Sequence, residues 1–280
     1  MYLIYNKLKY IRMKSSFKLT LFLLLSLSTL YPCKGVIGGL GEAPVIRELY
    51  ELRIYHITGK VQEEITDKFL KDAFLPALHR AGIEKAGVFK PVETDTAYGK
   101  RIYVLIPFQS ADQMVQLPSV LALDQKYNED GKFFLEAPYN NPPFKRYESI
   151  YMLAFRDMPR FRPPEFNTAP AVRIYELRSY ESATEAKAAK KIEMFNEGGE
   201  MKLFEKLGFN AVFFGEVLAG STKPNLMYMT SFSDLKSRQD HWAEFNSHPE
   251  WKALSGREEY KNTVSKINVF LLHPADYSDF

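Results

Sequence analysis

The side chains best able to do chemistry in this sequence come in two matching triplets. Glu51, Arg53 and Tyr55 alternate along Leu49-Tyr50-Glu51-Leu52-Arg53-Ile54-Tyr55, and Glu176, Arg178 and Tyr180 alternate along Ile174-Tyr175-Glu176-Leu177-Arg178-Ser179-Tyr180, 125 residues later. A spacing of two puts all three polar groups of a triplet on one face of a strand. Guanidinium groups grip carboxylates with two parallel hydrogen bonds. Arg53 and Arg178 could therefore hold a polar or anionic small molecule. The competing reading is a salt-bridge network that fixes the register of the sheets. It is the favoured one, because a buried charge must be paired and interior ion pairs commonly have no catalytic duty. Asn196 and Glu197 complete the ligand-binding candidates, at the mouth of a cavity; on a surface helix such residues ordinarily face water.

Other chemistries find little support. The five histidines are His56, His79, His241, His248 and His273, and none forms HExxH or another close ligand pair. His241 and His248 are seven apart, but a helix start at Pro249 intervenes and a third ligand is missing. No metal and no cofactor is expected. GxSxG, P-loop and Rossmann fingerprints are absent. No residue is nominated as catalytic.

The N-terminus reads as a leader. Lys7, Lys9, Arg12, Lys14 and Lys18 precede the apolar run Leu19–Leu30, and Cys33 and Gly35 follow as small residues. These are the parts of a secretory signal, with translation starting at Met1 or Met13 and cleavage after Gly35. The run is short for a permanent membrane span, so no transmembrane segment is expected after its removal. The protein is expected to be exported, to a periplasm or the exterior; anchoring by a lipid on Cys33 is the alternative. Cys33 is the only cysteine, so a chain cut after Gly35 has no disulfide and no thiol nucleophile. Residues 1–35 carry six of the 37 basic residues and none of the 34 acidic ones, so removing them turns a net charge of +3 into −3. No basic stripe remains for phosphates, and nucleic acid is excluded as a partner.

The elements that would position the triplets are written twice. Arg80-Ala81-Gly82-Ile83 answers Lys206-Leu207-Gly208-Phe209, Ile102–Phe108 answers Met227–Phe232, and Ser149–Phe155 answers Lys266–Leu272. Between the copies, Pro159, Pro163, Pro164 and Pro170 mark 157–171 as an extended linker. The repeats are thus 45–156 and 172–280. Each reads as strand, helix, strand, strand, helix, strand. Leu70, Ala73, Phe74, Ala77, Leu78 and Ala81 keep helical spacing, and Gly82 and Gly208 stand where a helix end needs a left-handed residue. Pro76 and Gly198-Gly199 should interrupt the first helices. Second helices are expected at Ala111–Tyr127 and Leu235–Leu254. Such a βαββαβ unit is α+β, an antiparallel sheet with helices on one face, and its bare face needs a cover. Two units can cover each other, packed sheet to sheet. The apolar residues Tyr50, Leu52, Ile54, Tyr175 and Leu177 should then meet the helices, leaving the Glu-Arg-Tyr triplets in the seam.

Several of these stretches resemble the NIPSNAP family. Tyr50-Glu51-Leu52-Arg53 and Tyr175-Glu176-Leu177-Arg178 are similar to its opening strand. Phe195-Asn196-Glu197 with Leu207–Glu216 is similar to the block that follows. Trp242–Phe245 with Pro249-Glu250-Trp251, and the close Leu271-Leu272-His273-Pro274, complete the likeness. It covers nearly all of 45–280, more weakly in the first repeat, where Asp130–Phe144 intrudes. His248 stands where the family tends to carry an acid. The resemblance implies ferredoxin-like units joined as an internal pseudo-dimeric α/β barrel, a fold shared by cofactor-independent monooxygenases, isomerases and haem enzymes. Fold alone does not transfer chemistry. The reading is an exported protein that binds a small polar or anionic ligand between its repeats. The alternatives are a cofactor-independent monooxygenase or isomerase, and an interaction module using Asp130–Phe144. A homo-oligomer remains open.

Overall fold

A computed structural model describes residues 45–280; the leader expected at 1–35, with Cys33, lies outside the described residues. The first repeat runs β1 (Leu49–His56), α1 (Lys60–Phe69), α2 (Leu75–Arg80), β2 (Gly87–Pro91), β3 (Arg101–Phe108), α3 (Ala111–Leu123), α4 (Gln125–Leu135) and β4 (Arg146–Ala154). The second runs β5 (Ile174–Glu181), α5 (Glu185–Phe195), α6 (Glu200–Lys206), β6 (Asn210–Ala219), β7 (Asn225–Phe232), α7 (Leu235–Ser247), α8 (Pro249–Ser255) and β8 (Lys266–Pro274). No helix among the described residues is long and apolar enough to cross a membrane.

Local chemistry explains the interruptions. Pro76 has no amide hydrogen to give, and the helix passes it through one π-helical turn, Leu70–Phe74, before α2 begins. In the second repeat Gly199 adopts φ 93° and separates α5 from α6. Both first helices then end alike. Gly82 (φ 81°) and Gly208 (φ 75°) are left-handed, and the amides of Ile83 and Phe209 reach back to Leu78 O and Phe204 O. That six-to-one bond closes the helix end. The second helix of the second repeat restarts at Pro249 as expected, and that of the first repeat is broken as well, at Asp124, where a continuous helix was expected. Asp124 caps α4 by accepting from Tyr127 N, and His248 caps α8 by accepting from Glu250 N at Nδ1. His248 thus performs the capping an acid would perform. The Asp130–Phe144 segment is no appendage: its first turns finish α4, and Phe134 stacks on Phe69 with ring centroids 3.9 Å apart.

All eight strands form one closed antiparallel barrel in the order β1-β3-β2-β8-β5-β7-β6-β4. Each repeat contributes a four-stranded sheet, and the sheets join at two short seams. β2 meets β8 through Phe89–Pro91 and Pro274–Leu272; β4 meets β6 from Tyr151 to Ala154, across a bulge. Helices cover the outside. The final residues of the second repeat strap back over the first. Tyr277 donates to Asp67 on α1 at 2.6 Å, and the Asp279 carboxylate accepts from Ala86 N at 2.7 Å.

The barrel overturns the expected facing of the strands. Tyr50, Leu52, Ile54, Tyr175 and Leu177 point into the barrel, in one apolar cluster with Phe89, Leu105, Met152 and Met229. Glu51, Arg53, Tyr55, Glu176, Arg178 and Tyr180 occupy the opposite face, beneath the helices, and Tyr55 and Tyr180 sit in the two sheet–helix cores. Both faces of these strands are buried, so the alternation separates two sets without saying which goes inside. An eight-stranded barrel is just wide enough to be filled by side chains. Charges there would meet little but each other and lose several kcal/mol each on desolvation.

One barrel end is stoppered. The Phe280 ring sits 5.7 Å from Phe89, 5.2 Å from the linker residue Phe161 and 6.5 Å from Tyr175. Gly87 leaves room for it, since a Cβ there would come within 2.6 Å of the Phe280 ring. Replacing Phe280 with alanine is expected to cost about 3 kcal/mol, measured by urea denaturation. An unchanged midpoint would show that the stopper adds nothing.

Candidate functional site

The second triplet builds a saturated network under α7. Glu176 is fully buried. One oxygen accepts from Arg178 Nε at 2.6 Å and Arg238 Nη2 at 3.1 Å, the other from Arg238 Nε at 2.8 Å and Trp242 Nε1 at 2.7 Å. The Arg178 guanidinium lies 3.7 Å from the Trp242 ring centroid and donates to the Tyr180 hydroxyl, which bonds Tyr228 at 2.9 Å. Burial opposes the charge on Arg178, but Tyr228, Tyr180 and Glu176 outweigh it and hold its pKa above the ordinary value. Burial pushes the Tyr228 phenol well up, so it stays protonated. Nearby, Lys191 and Glu200 form a second buried pair at 2.6 Å across the Gly198-Gly199 break. Burial raises the Glu200 pKa, and Lys191 opposes the rise.

The first triplet is a sparser version. Glu51 accepts from Arg53 at 2.8 and 3.3 Å and from Ser149 Oγ at 2.6 Å. Aligning the caps Ser110 and Asp234 places Met114 opposite Arg238 and Pro118 opposite Trp242, so both helix donors are lost. Ser149, beside Arg53 on β4, supplies a substitute. Arg53 lies over the rings of Phe74 and Tyr147, at 5.0 and 5.2 Å. The two triplets therefore do not meet. Each is enclosed within its own repeat.

Asn196 and Glu197 sit apart from both. Asn196 Nδ2 closes α5 on Ile192 O, and its Oδ1 accepts from Asp157 N; Glu197 pairs with Arg156 at 2.7 Å. They pin the start of the linker to the helix break. Asn196 also lines a groove of about 440 Å³ between linker and α6.

A cavity shared by the repeats exists, but at the barrel's open mouth and with other residues. It holds about 370 Å³ and is lined from both repeats, by Ile54, Tyr103 and Ile150 on one side and Leu177, Met227 and Phe270 on the other. Its rim carries Arg101, Glu148, Glu181 and Lys266. Glu181 accepts from Lys266 at 3.2 Å and Asn268 at 3.0 Å; Glu148 pairs with His56 at 2.9 Å. Arg101 has no carboxylate within salt-bridge distance among the described residues. Tyr103 is 1% exposed, and its hydroxyl has no hydrogen-bond partner. Burial raises its pKa; Arg101 nearby opposes the rise without making a well-formed hydrogen bond. A second cavity of about 370 Å³, carrying His56, Lys100, Lys145 and Asp95, adjoins through Arg101 and Phe270. Sequence reading missed this site because Arg101 and Tyr103 stand in an otherwise apolar strand. The one available signal was the pair of polar residues on alternate positions at its start.

A closed eight-stranded barrel with external helices, made from two βαββαβ units, defines the dimeric α/β-barrel class, here on one chain. A candidate monooxygenase from Lactobacillus acidophilus NCFM is similar with TM-score 0.52 and 12% identity over 81% of this chain and 94% of that one. A candidate monooxygenase from Fusobacterium nucleatum gives TM-score 0.51 and 10% identity over 81% and 92%. At such identities the likeness is one of fold. Residues 175–279, which make up the second repeat, match the NIPSNAP family model, and over that stretch the chain is similar to NIPSNAP proteins. A NIPSNAP family protein of unknown function from Agrobacterium tumefaciens is 20% identical over 40% of this chain and 97% of its own, with TM-score 0.32. No curated protein is significantly similar to the chain.

The network around Glu176 has a direct test. Arg238→Met gives the second repeat the residue that the first carries, and strips two donors from a buried carboxylate. It should cost about 2–3 kcal/mol in chemical denaturation. A loss below about 0.5 kcal/mol would mean that the remaining donors suffice.

Proposed function

We propose that this NIPSNAP-like protein is exported and binds a small polar or anionic molecule in the cup at the open end of its barrel. The observation that carries the reading is the cup itself. Phe280 and Phe161 close one end of the barrel, while the other opens into about 370 Å³ walled by strands of both repeats. That volume falls in the range of small-molecule sites, and an apolar wall with a few convergent polar groups is their usual composition. The Glu-Arg-Tyr triplets take a supporting role, holding the sheets under their helices. Export rests on the cationic and apolar pattern of residues 1–35.

An oxygenase or isomerase without a cofactor is the second reading, favoured by the fold shared with two candidate monooxygenases. It differs in outcome: an enzyme would convert what the cup holds, a binding protein would return it intact.

Two measurements test the proposal. Protein recovered from outside the cytoplasm should begin at Val36, as read by N-terminal sequencing; recovery only of intact chain in the cytoplasm would reject export. Native mass spectrometry of that material should show a retained small molecule, released unchanged. Thr222 is exposed and lines the cup; Thr222→Trp, which sets an indole at that rim, should abolish the extra mass while leaving the melting temperature within about 2 °C. Extra mass that survives the substitution would place the ligand elsewhere.

A further inference from the structure

The rim of the cup says more about its occupant than its volume does. Four charged side chains stand there, and three are already matched: Glu181 by Lys266 and Asn268, and Glu148 by His56. Arg101 is the one left over. Beside it, Tyr103 keeps a buried hydroxyl with no protein partner. An unmade hydrogen bond of that kind costs about 1–3 kcal/mol; a water molecule could bond to the phenol and the guanidinium but would leave the positive charge without a counter-charge. One group that satisfies both is an oxyanion. Below the rim the wall becomes apolar, with Ile54, Ile150, Leu177, Met227 and Phe270. The site is therefore polar at one end only.

Geometry also limits the charge. Glu148 and Glu181 flank the same opening, and a second negative charge on the guest would lie near both, at a Coulombic cost of about 1–4 kcal/mol per close pair. A phosphate monoester is thereby disfavoured. A carboxylate has one charge and a flat pair of oxygens that fits the guanidinium fork.

We propose that the cup binds an amphipathic monocarboxylate. Its carboxylate lies between the Arg101 guanidinium and the Tyr103 hydroxyl, and its ring or short chain lies against Ile54, Ile150, Leu177, Met227 and Phe270. This rests on the reading of the cup as a ligand site and adds to it the chemical class of ligand. The adjoining cavity, where Lys100 and Lys145 outnumber Asp95, gives the anion a net positive approach, which makes association sensitive to salt.

The test uses three probes of nearly equal shape with the protein cut after Gly35. They are 2-naphthoate, 2-naphthylmethanol and 2-naphthylmethylamine, followed by isothermal titration calorimetry and ligand fluorescence. The carboxylate should bind at least roughly tenfold tighter than the alcohol, the amount that one charge-assisted contact supplies, and the ammonium should bind weakest. Arg101→Gln should remove the preference for acid over alcohol. Tyr103→Phe should weaken naphthoate several-fold without lowering the melting temperature, because the lost hydroxyl bonds no protein group. Equal binding of acid and alcohol, or naphthoate binding undiminished in Arg101→Gln, overturns the class of ligand and leaves the cup a binding site. Binding of none of the three, together with no retained mass in native spectrometry, overturns the site as well.

Discussion

Barrel closure is the constraint from which the rest of this structure follows. Two four-stranded sheets join at two short seams, and neither sheet is then left with a bare face or a long open edge. Closure excludes water from the interior, so whatever points inward must be apolar or must find its partners among a handful of neighbours. The chain takes the first course along most of the barrel, with Tyr50, Leu52, Leu105, Met152 and Leu177 packed across the axis. The charged triplets are left with the outer face, where helices supply the missing partners.

That division accounts for the contrast between the repeats. In the second, α7 offers Arg238 and Trp242, and the Glu176 carboxylate is bonded on both oxygens. In the first, α3 has Met114 and Pro118 at those positions, and Ser149 supplies the extra donor. The same triplet is thus held by helix and sheet in one copy and by sheet alone in the other. Internal repetition preserved the buried charge and let the means of satisfying it diverge, which is what the high cost of an unpaired buried ion demands. The C-terminal strap follows the same logic at a larger scale. Its bonds to Asp67 and Ala86 tie the second repeat to the first beyond the seams.

Closure is complete at one end only. Phe280 and Phe161 fill the base, while at the mouth the inward positions pass from apolar Ile54 and Ile150 to polar Arg101 and Glu148. Function, on this view, belongs to the place where the barrel's rule of apolar filling lapses. The residues with the most chemically suggestive spacing are already engaged with one another and, in the second repeat, with the helix above them. In each triplet the carboxylate is bonded to its neighbours, which leaves it less to offer a ligand.

Much of the fold was legible in the residues. The doubled order of elements, the helix ends at Gly82 and Gly208, the breaks at Pro76 and Gly198-Gly199 and the likeness to NIPSNAP in the second repeat all rest on short-range chemistry, which a local stretch carries in full. The facing of the strands was not legible. In a strand buried on both sides, alternation marks two sets of residues, and the choice of inner set depends on partners far away, here Arg238 and Trp242 for Glu176. The continuation of Asp130–Phe144 into α4 was hidden too, because Phe134 becomes core only where Phe69 meets it. The cup has the same origin. Arg101 and Tyr103 look unremarkable along β3, and they form one site with Leu177, Met227 and Phe270 only because closure brings two repeats around a single axis.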